Sequence, residues 1–445
     1  MDTDILVLDQ HTIKDLEIFT PDSAEQSLFQ FCNLTRSSGG AGVLRRRMEN
    51  PWSSVARIRH TQEAIAFIIE QREAFAKMPT AYATSRTYTY LHEVMPAVTE
   101  NNLIEFSLNA FSLWSSHNRY YFRISFGVQV TSRLVRKAKV LIDQASLANV
   151  VGELEPLMTE MREILDRPRI RNLPEDDVGG WYWKILRLDQ VFRIHEKSAL
   201  DSLLQLIFEV EALVSMADVT MQNGFVMPAL RQGPLAVKAQ GLVHPFVPGA
   251  VANPVELDQN KRVLFLTGPN MAGKTTYLRA IATALYFAHL GMGVPATHFT
   301  FTPMQRLFSS ISLSDDLRNG ISYFRAEALR AKAIAQAIAD GYRVVALLDE
   351  PFKGTNVKDA LDASLAILER FASKQDCLFM FSSHLIELRE RLTVTDQIDC
   401  RYFEADEGGG KLQFDYLLRS GVSDQRLGMR VLQEEGVFNL LDSSQ

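Results

Sequence analysis

The sequence predicts a multidomain chain, mainly helical over its first half and α/β over its second. Three observations carry that reading. Apolar residues recur at helical spacing through most of the first 235 positions. Beyond about residue 236, short and almost wholly apolar runs replace that spacing: Arg262–Thr267 (RVLFLT), Arg343–Leu348 (RVVALL) and Cys377–Phe381 (CLFMF). Helical stretches at about 324–340 and 358–373 separate these runs, the alternation expected of a parallel sheet with helical crossovers. Three regions follow: a helical region over 1–100, a second helical region over 101–235 and an α/β domain over 236–445.

The 445 residues are 47% hydrophobic, enough for more than one buried core. The formal charge of -6, from 47 basic and 53 acidic residues, excludes a strongly basic tail or domain but leaves room for a local basic patch. Cys32, Cys377 and Cys400 are scattered, with no CxxC pair, and read as free thiols in a reducing compartment. The N-terminus, MDTDILVLDQHT, lacks an apolar signal core, and the longest apolar candidate, Ile281–Val294, is too short to span a membrane and holds His289. The expectation is a cytoplasmic protein with no membrane partner.

Along the chain, Asp22 and Ser23 are candidate caps for a helix through Leu28, Phe31 and Leu34, with Ser37–Gly40 (SSGG) as its interruption. A second helix carries Val43, Leu44 and Met48 and stops at Pro51. Val55–Phe75 is amphipathic, whereas Thr87–Leu91 fits a strand or part of a helix. Val130–Leu147 and Val151–Leu165 are the clearest helices of the middle region. The cluster Arg133, Arg136, Lys137 and Lys139 is either the wet face of a helix or a contact to a DNA backbone. Arg167–Gly180 reads as a loop, Trp181–Val214 as helix, and Pro228, Gly233 and Pro234 mark a boundary.

Between the run Arg262–Thr267 and a following helix, Thr275–Leu290, stands GPNMAGKT, Gly268–Thr275, which matches the phosphate-loop pattern GxxxxGK[ST] in full. Gly268 turns the chain sharply out of the strand. Gly273 lets backbone N–H groups converge on phosphate oxygens. Lys274 supplies a cation between the terminal phosphates of a nucleoside triphosphate, and Thr275 offers a hydroxyl to Mg²⁺. The helix N-terminus adds its dipole. Downstream, Asp349 and Glu350 end the second apolar run, where ligands bind in such sheets. Asp349 is the candidate second Mg²⁺ residue, and Glu350 the candidate carboxylate that polarises the attacking water. His384, after the third run, is a candidate sensor of the terminal phosphate. The residues themselves therefore predict binding and hydrolysis of a nucleoside triphosphate.

With these elements placed, the sequence resembles the MutS family of DNA mismatch repair ATPases, which belong to the ABC-type ATPases. The clearest mark is TGPNMAGKTTYLR, continued by Gly291, Val294 and Ala296. Ser314–Leu317 (SDDL), Gly320, Ser322, Phe324 and Glu327 fit the family's next motifs, as do Asp349 and Glu350 followed by Gly354 and Thr355. At the other end, Leu8–Phe19 (LDQHTIKDLEIF), with Ser27, Leu28, Asn33, Thr35, Gly42 and Leu44–Arg46, resembles the opening of the MutS core. His244, Pro245 and Asn253 fit positions ahead of the ATPase strand, and Asp415–Val437 resembles the family's closing helical segment, with Gly421 and Gly428 matching.

The resemblance implies a helical core and lever followed by an ABC-type P-loop ATPase domain. It implies ATP and Mg²⁺ as cofactors, with Gly268, Pro269, Asn270, Met271, Ala272, Gly273, Lys274, Thr275, Thr276 and Asn253 around the nucleotide. Lys274, Glu350 and His384 would be catalytic, and Thr275 and Asp349 would hold the metal. It implies a homodimer through the ATPase domains, in which Gly320, Ser322 and Phe324 act in trans on the partner's nucleotide. Duplex or branched DNA and repair proteins are the further partners. Because the core-like segment begins at residue 8, a mismatch-reading domain and a connector are expected to be missing, the clamp reduced, and mismatches left unread. Thr275, Pro351, Phe352 and Asn356 stand where Ser, Ile, Gly and Ser are more usual, and Ala250 stands where an aromatic usually contacts adenine. The alternative is a protein-remodelling or regulatory ATPase on the same scaffold, without direct DNA contact.

Overall fold

A computed structural model of the chain describes residues 4–20, 26–146, 148–174, 181–311, 323–384, 387–393, 396–406, 412–423, 425 and 427–442. They form two compact units. Met1–Phe31, Asn50–Ile58 and Gln222–Gln445 make one, and Cys32–Glu49 with Arg59–Met221 make the other. The architecture is a large helical region together with an α/β sheet domain.

The helical unit is organised around two long helices, Asn118–Ala145 and Lys197–Gln222. Val128, Val135, Leu141 and Ile142 form part of the buried face of the first, the stripe that drives an amphipathic helix against its neighbours. Thr87–Leu91 lies within the helix Ala81–His92, capped by the Thr80 side chain. There Tyr90 donates a 2.6 Å hydrogen bond to the Asp189 carboxylate, which Arg193 also engages. Burial first, then the Asp189 charge, pushes the Tyr90 phenol well above its usual range, so it stays a donor.

The glycine-rich stretch proves not to be a break. Residues 21–25 lie outside the description, and the helix over Leu28–Cys32 is opened by Ser27 and Gln30, which exchange side-chain and backbone hydrogen bonds as a capping box. Ser37–Gly40 instead starts the next helix, Ser38–Glu49. A Cβ at Gly39 would stand 2.4 Å from the Phe208 ring, and one at Gly40 would stand 2.5 Å from the Glu211 carboxylate. These glycines serve close helix approach. Glu211 then accepts the Ser37 N–H at 2.7 Å and caps the helix. Of Arg167–Gly180, Pro168–Arg171 forms one helical turn.

The other unit holds a seven-stranded sheet in the order Val7–Leu8, Arg306–Ser310, Val344–Asp349, Cys377–Ser382, Val263–Thr267, Ile398–Tyr402, Arg419–Ser420. All neighbours are parallel except the last pair, Arg401 and Tyr402 with Ser420 and Arg419. The three apolar runs are the central strands, buried on both faces as a parallel sheet with helices on each side requires. The crossovers are the helices Lys274–His289, Tyr323–Ala339 and Val357–Ala372. Phe265, Ala346, Phe379 and Phe381 fill the core beneath the helices, with Phe371 stacked on Phe379 at 4.3 Å. A second sheet pairs His298–Phe301, Val237–Leu242 and Asn253–Leu257 antiparallel, with Ala229–Leu230 alongside. Among the described residues of Asp415–Val437, helix begins at Gly428: Arg419–Ser420 closes the large sheet, because its backbone groups pair with the otherwise open edge of Ile398–Tyr402. Among the described residues, no helix is long and apolar enough to cross a membrane.

Candidate active site

The strand order sets the site. One strand, Cys377–Ser382, separates the strand before Gly268 from the strand that ends in Asp349. Their carboxyl ends lie side by side, so Gly268, Glu350 and Ser383 leave the sheet at one edge. Gly268 has φ 136°, and a Cβ there would stand 2.5 Å from the Phe403 carbonyl oxygen. Gly273, at φ 99°, opens the helix Lys274–His289. A helix N-terminus opening from a glycine loop in this way is the construction of an anion cradle. Met271 stands out from the loop, 75% exposed and at φ 68°.

Lys274 is buried. Its Nζ donates to the carbonyls of Gly268 at 2.8 Å and Pro269 at 3.0 Å, with Glu350 Oε1 at 3.8 Å. Burial lowers its pKa, and the Glu350 and Asp349 carboxylates oppose that shift. Thr275 donates its hydroxyl to Asp349 Oδ2 at 2.6 Å, and Ser382 donates to the other oxygen. Glu350 sits at φ 48°, tethered by its N–H to the Ser382 carbonyl at 3.1 Å. His384 is 59% exposed, with Nδ1 4.0 Å from Glu350 Oε1. Strain of this kind, in a non-glycine residue at a strand end, is characteristic of functional loops.

Of the sequence-predicted residues, Asn270, Met271, Gly273, Lys274, Thr275, Thr276, Asn253, Asp349 and Glu350 line one cavity of about 740 Å³. Asn253 does not reach into it freely: its side chain donates to the Tyr416 carbonyl at 2.9 Å and accepts the Leu418 N–H at 2.7 Å. Gly320 and Ser322 lie outside the described residues. Phe324 packs its ring 6.1 Å from that of Phe352. Sequence reasoning missed Tyr416, which lines the same cavity at φ 57° and would meet a Cβ on Gly273 at 3.2 Å. It also missed Ser382 and Lys353. No local pattern marks these residues; only the fold brings them 70 or more positions to the loop.

Among the described residues, no group of three His, Cys, Asp or Glu side chains could hold a metal ion alone. The Thr275 hydroxyl beside the Asp349 carboxylate is instead a two-residue oxygen pair, suited to Mg²⁺ that draws its other ligands from phosphates and water. The arrangement can cradle a polyphosphate, neutralise it with Lys274, and present a carboxylate at the cavity wall.

The family model for MutS domain V matches residues 264–441. Over these residues the chain is similar to the MutS family. The DNA mismatch repair protein MutS of Listeria innocua is 35% identical over 242 residues, 53% of this chain and 28% of that protein. Its namesake in Brevibacillus brevis is 35% identical over 245 residues, again 53% of this chain and 28% of the relative. The chain thus spans little more than a quarter of the length of these MutS relatives.

Proposed function

We propose that this MutS-like chain binds ATP with Mg²⁺ in the cavity above Gly268–Thr275 and hydrolyses it. The observation that carries the reading is the convergence of Lys274, the Thr275–Asp349 pair and Glu350 on one phosphate-sized loop. Loop amides and the Lys274 ammonium bind the phosphates. Thr275 and Asp349 would hold Mg²⁺, which neutralises phosphate charge. Glu350, within reach of both Lys274 and His384, orients the attacking water and draws on its proton; His384 senses the terminal phosphate. Tyr416, half-exposed at the cavity wall, offers its ring to the base in place of the aromatic missing at Ala250. Two copies join through their ATPase faces, and Gly320, Ser322 and Phe324 of each complete the other's site; exposed Met271 and Val357 are apolar surface available to such a contact.

Steady-state turnover and nucleotide binding test this reading. Lys274→Ala should abolish both, whereas Glu350→Gln should keep ATP binding and lose about 100-fold or more in kcat. A Glu350→Gln protein that turns over at the wild-type rate would remove Glu350 from the mechanism.

By likeness to the MutS relatives, the chain works on DNA, duplex or branched, together with repair proteins. A second reading, ATP-driven remodelling of proteins, is favoured by one observation. Arg45, Arg46 and Arg47 pair with Glu49, Glu209 and Glu153, and Lys139 donates to the carbonyls of Ile170 and Arg171. Much of the basic surface expected to meet phosphates is committed within the chain.

A further inference from the structure

The loop that carries Glu350 leaves the sheet through two left-handed residues, Glu350 at φ 48° and Phe352 at φ 64°. Neither is glycine, so the conformation persists only if its surroundings impose it. Its deepest restraint comes from another helix: the buried carboxylate of Glu327 accepts the Phe352 N–H at 2.6 Å. The amides of Lys353 and Gly354 also turn their positive ends to that carboxyl, against the upward shift that burial gives it. Three residues on, and so on the same side of the helix Tyr323–Ala339, the buried Arg330 is fixed from the N-terminal segment. It donates to Thr12 Oγ1 at 2.8 Å, to the Asp9 carboxylate and to the Ser309 carbonyl. Thr12 also accepts the Ser309 N–H at 3.0 Å, and Asp15, fully buried, accepts from Ser309 Oγ at 2.8 Å and from the Ile311 N–H at 2.7 Å. Rotation or sliding of the helix would take a buried guanidinium from its partners and leave the buried Phe352 amide unpaired.

We propose that Glu327 is a positioning residue for Glu350, and that Gln10–Asp15 sets its position by anchoring Arg330 on the same helix. The helix links the opening segment of the chain to the carboxylate that orients water. Any force on residues 9–15 moves Glu327, and through the Phe352 amide it moves the Glu350 backbone. The inference rests on the hydrolysis reading for its kinetic consequence only; the hold on the loop is independent of turnover.

The test uses the full chain with ATP and Mg²⁺, with two readouts: kcat and KM for ATP, and amide hydrogen exchange over residues 349–356. Glu327→Ala should lower kcat about 10- to 100-fold with KM within about threefold, because it misplaces the water-orienting group and leaves the phosphate cradle intact. It should also speed exchange in the loop about tenfold or more. Glu327→Gln keeps a carbonyl for the Phe352 N–H and should recover most of both. Thr12→Val, remote from the nucleotide, should speed loop exchange in the same residues to a lesser extent. Should Glu327→Ala fail to fold, Glu327→Asp, too short to reach the amide, takes its place. Unchanged loop exchange in the Ala or Asp variant would overturn the proposal, as would equal kcat losses in Ala and Gln. If the wild-type chain does not hydrolyse ATP, the hydrolysis reading fails, and loop exchange alone decides the role of Glu327.

Discussion

Gly268 is where backbone geometry and ligand chemistry meet most sharply. At φ 136° an L side chain is strained, and its Cβ would stand 2.5 Å from the Phe403 carbonyl oxygen, a main-chain atom that cannot swing aside. Gly268→Ala should therefore destabilise the α/β unit by about 2–4 kcal/mol and displace the loop amides, with nucleotide affinity falling in parallel. Urea denaturation and nucleotide titration of the variant check this, and wild-type values in both would contradict it. Residues at this scale were legible in the sequence when they lie together in it. Gly268–Thr275 and Asp349–Glu350 are contiguous motifs whose spacing suggests the chemistry proposed for them. Glu327 was visible only as a motif position, and Tyr416 not at all as a wall of the cavity, because each acts across a distance that only the sheet order closes.

Among the elements, the helix Lys274–His289 ends on a buried histidine that must be neutral. His289 Nδ1 lies 2.8 Å from the Leu285 carbonyl and so carries the proton, while Nε2 accepts the Met304 N–H at 3.1 Å. Burial pushes its pKa down to about 4, and burial then Arg279 push His244 to about 4 as well. Both values lie below the 6.5 of an ordinary histidine, so between pH 6.5 and 4 the unfolded chain binds more protons than the folded one. Stability is then full above pH 6.5 and is lost as pH falls toward 4, by about 1.4 kcal/mol per pH unit for each group. In urea titrations, His289→Leu should lower stability at pH 7 and flatten the slope between pH 6.5 and 4.5 by one proton's share; an unchanged slope would refute the assignment. The core strands and their crossover helices were read correctly from apolar runs and spacing. The Ser37–Gly40 stretch was misread because glycine has two uses, ending a helix or admitting a neighbour, and only Phe208 and Glu211 distinguish them. The edge strand Arg419–Ser420 has no apolar alternation of its own and is created by its partner.

At the scale of the whole molecule, the formal charge of -6 and the paired arginines at 45–47 argue against long-range attraction to DNA. Binding to duplex or branched DNA should be weak and should fall tenfold or more between about 50 and 200 mM salt, with little sequence preference. A titration at two salt concentrations with matched duplex, a single mispair and a four-way junction checks this. A tenfold preference for the mispair, about 1.4 kcal/mol, would contradict it, and no binding to any DNA at low salt would favour the protein-remodelling reading.

If ATP is hydrolysed at a loop completed by a second copy, mixing two inactive chains should restore turnover. Lys274→Ala loses its own phosphate cradle but retains Ser322 for a partner. Ser322→Ala retains the cradle but offers the partner nothing. Each alone should be inactive. Mixed in equal amounts, half of the dimers pair one chain of each kind, and each such dimer holds one complete site, so about a quarter of wild-type turnover should return. Turnover that stays at the level of the separate variants while mixed dimers form, or a Ser322→Ala chain that hydrolyses ATP at the wild-type rate, would contradict the account.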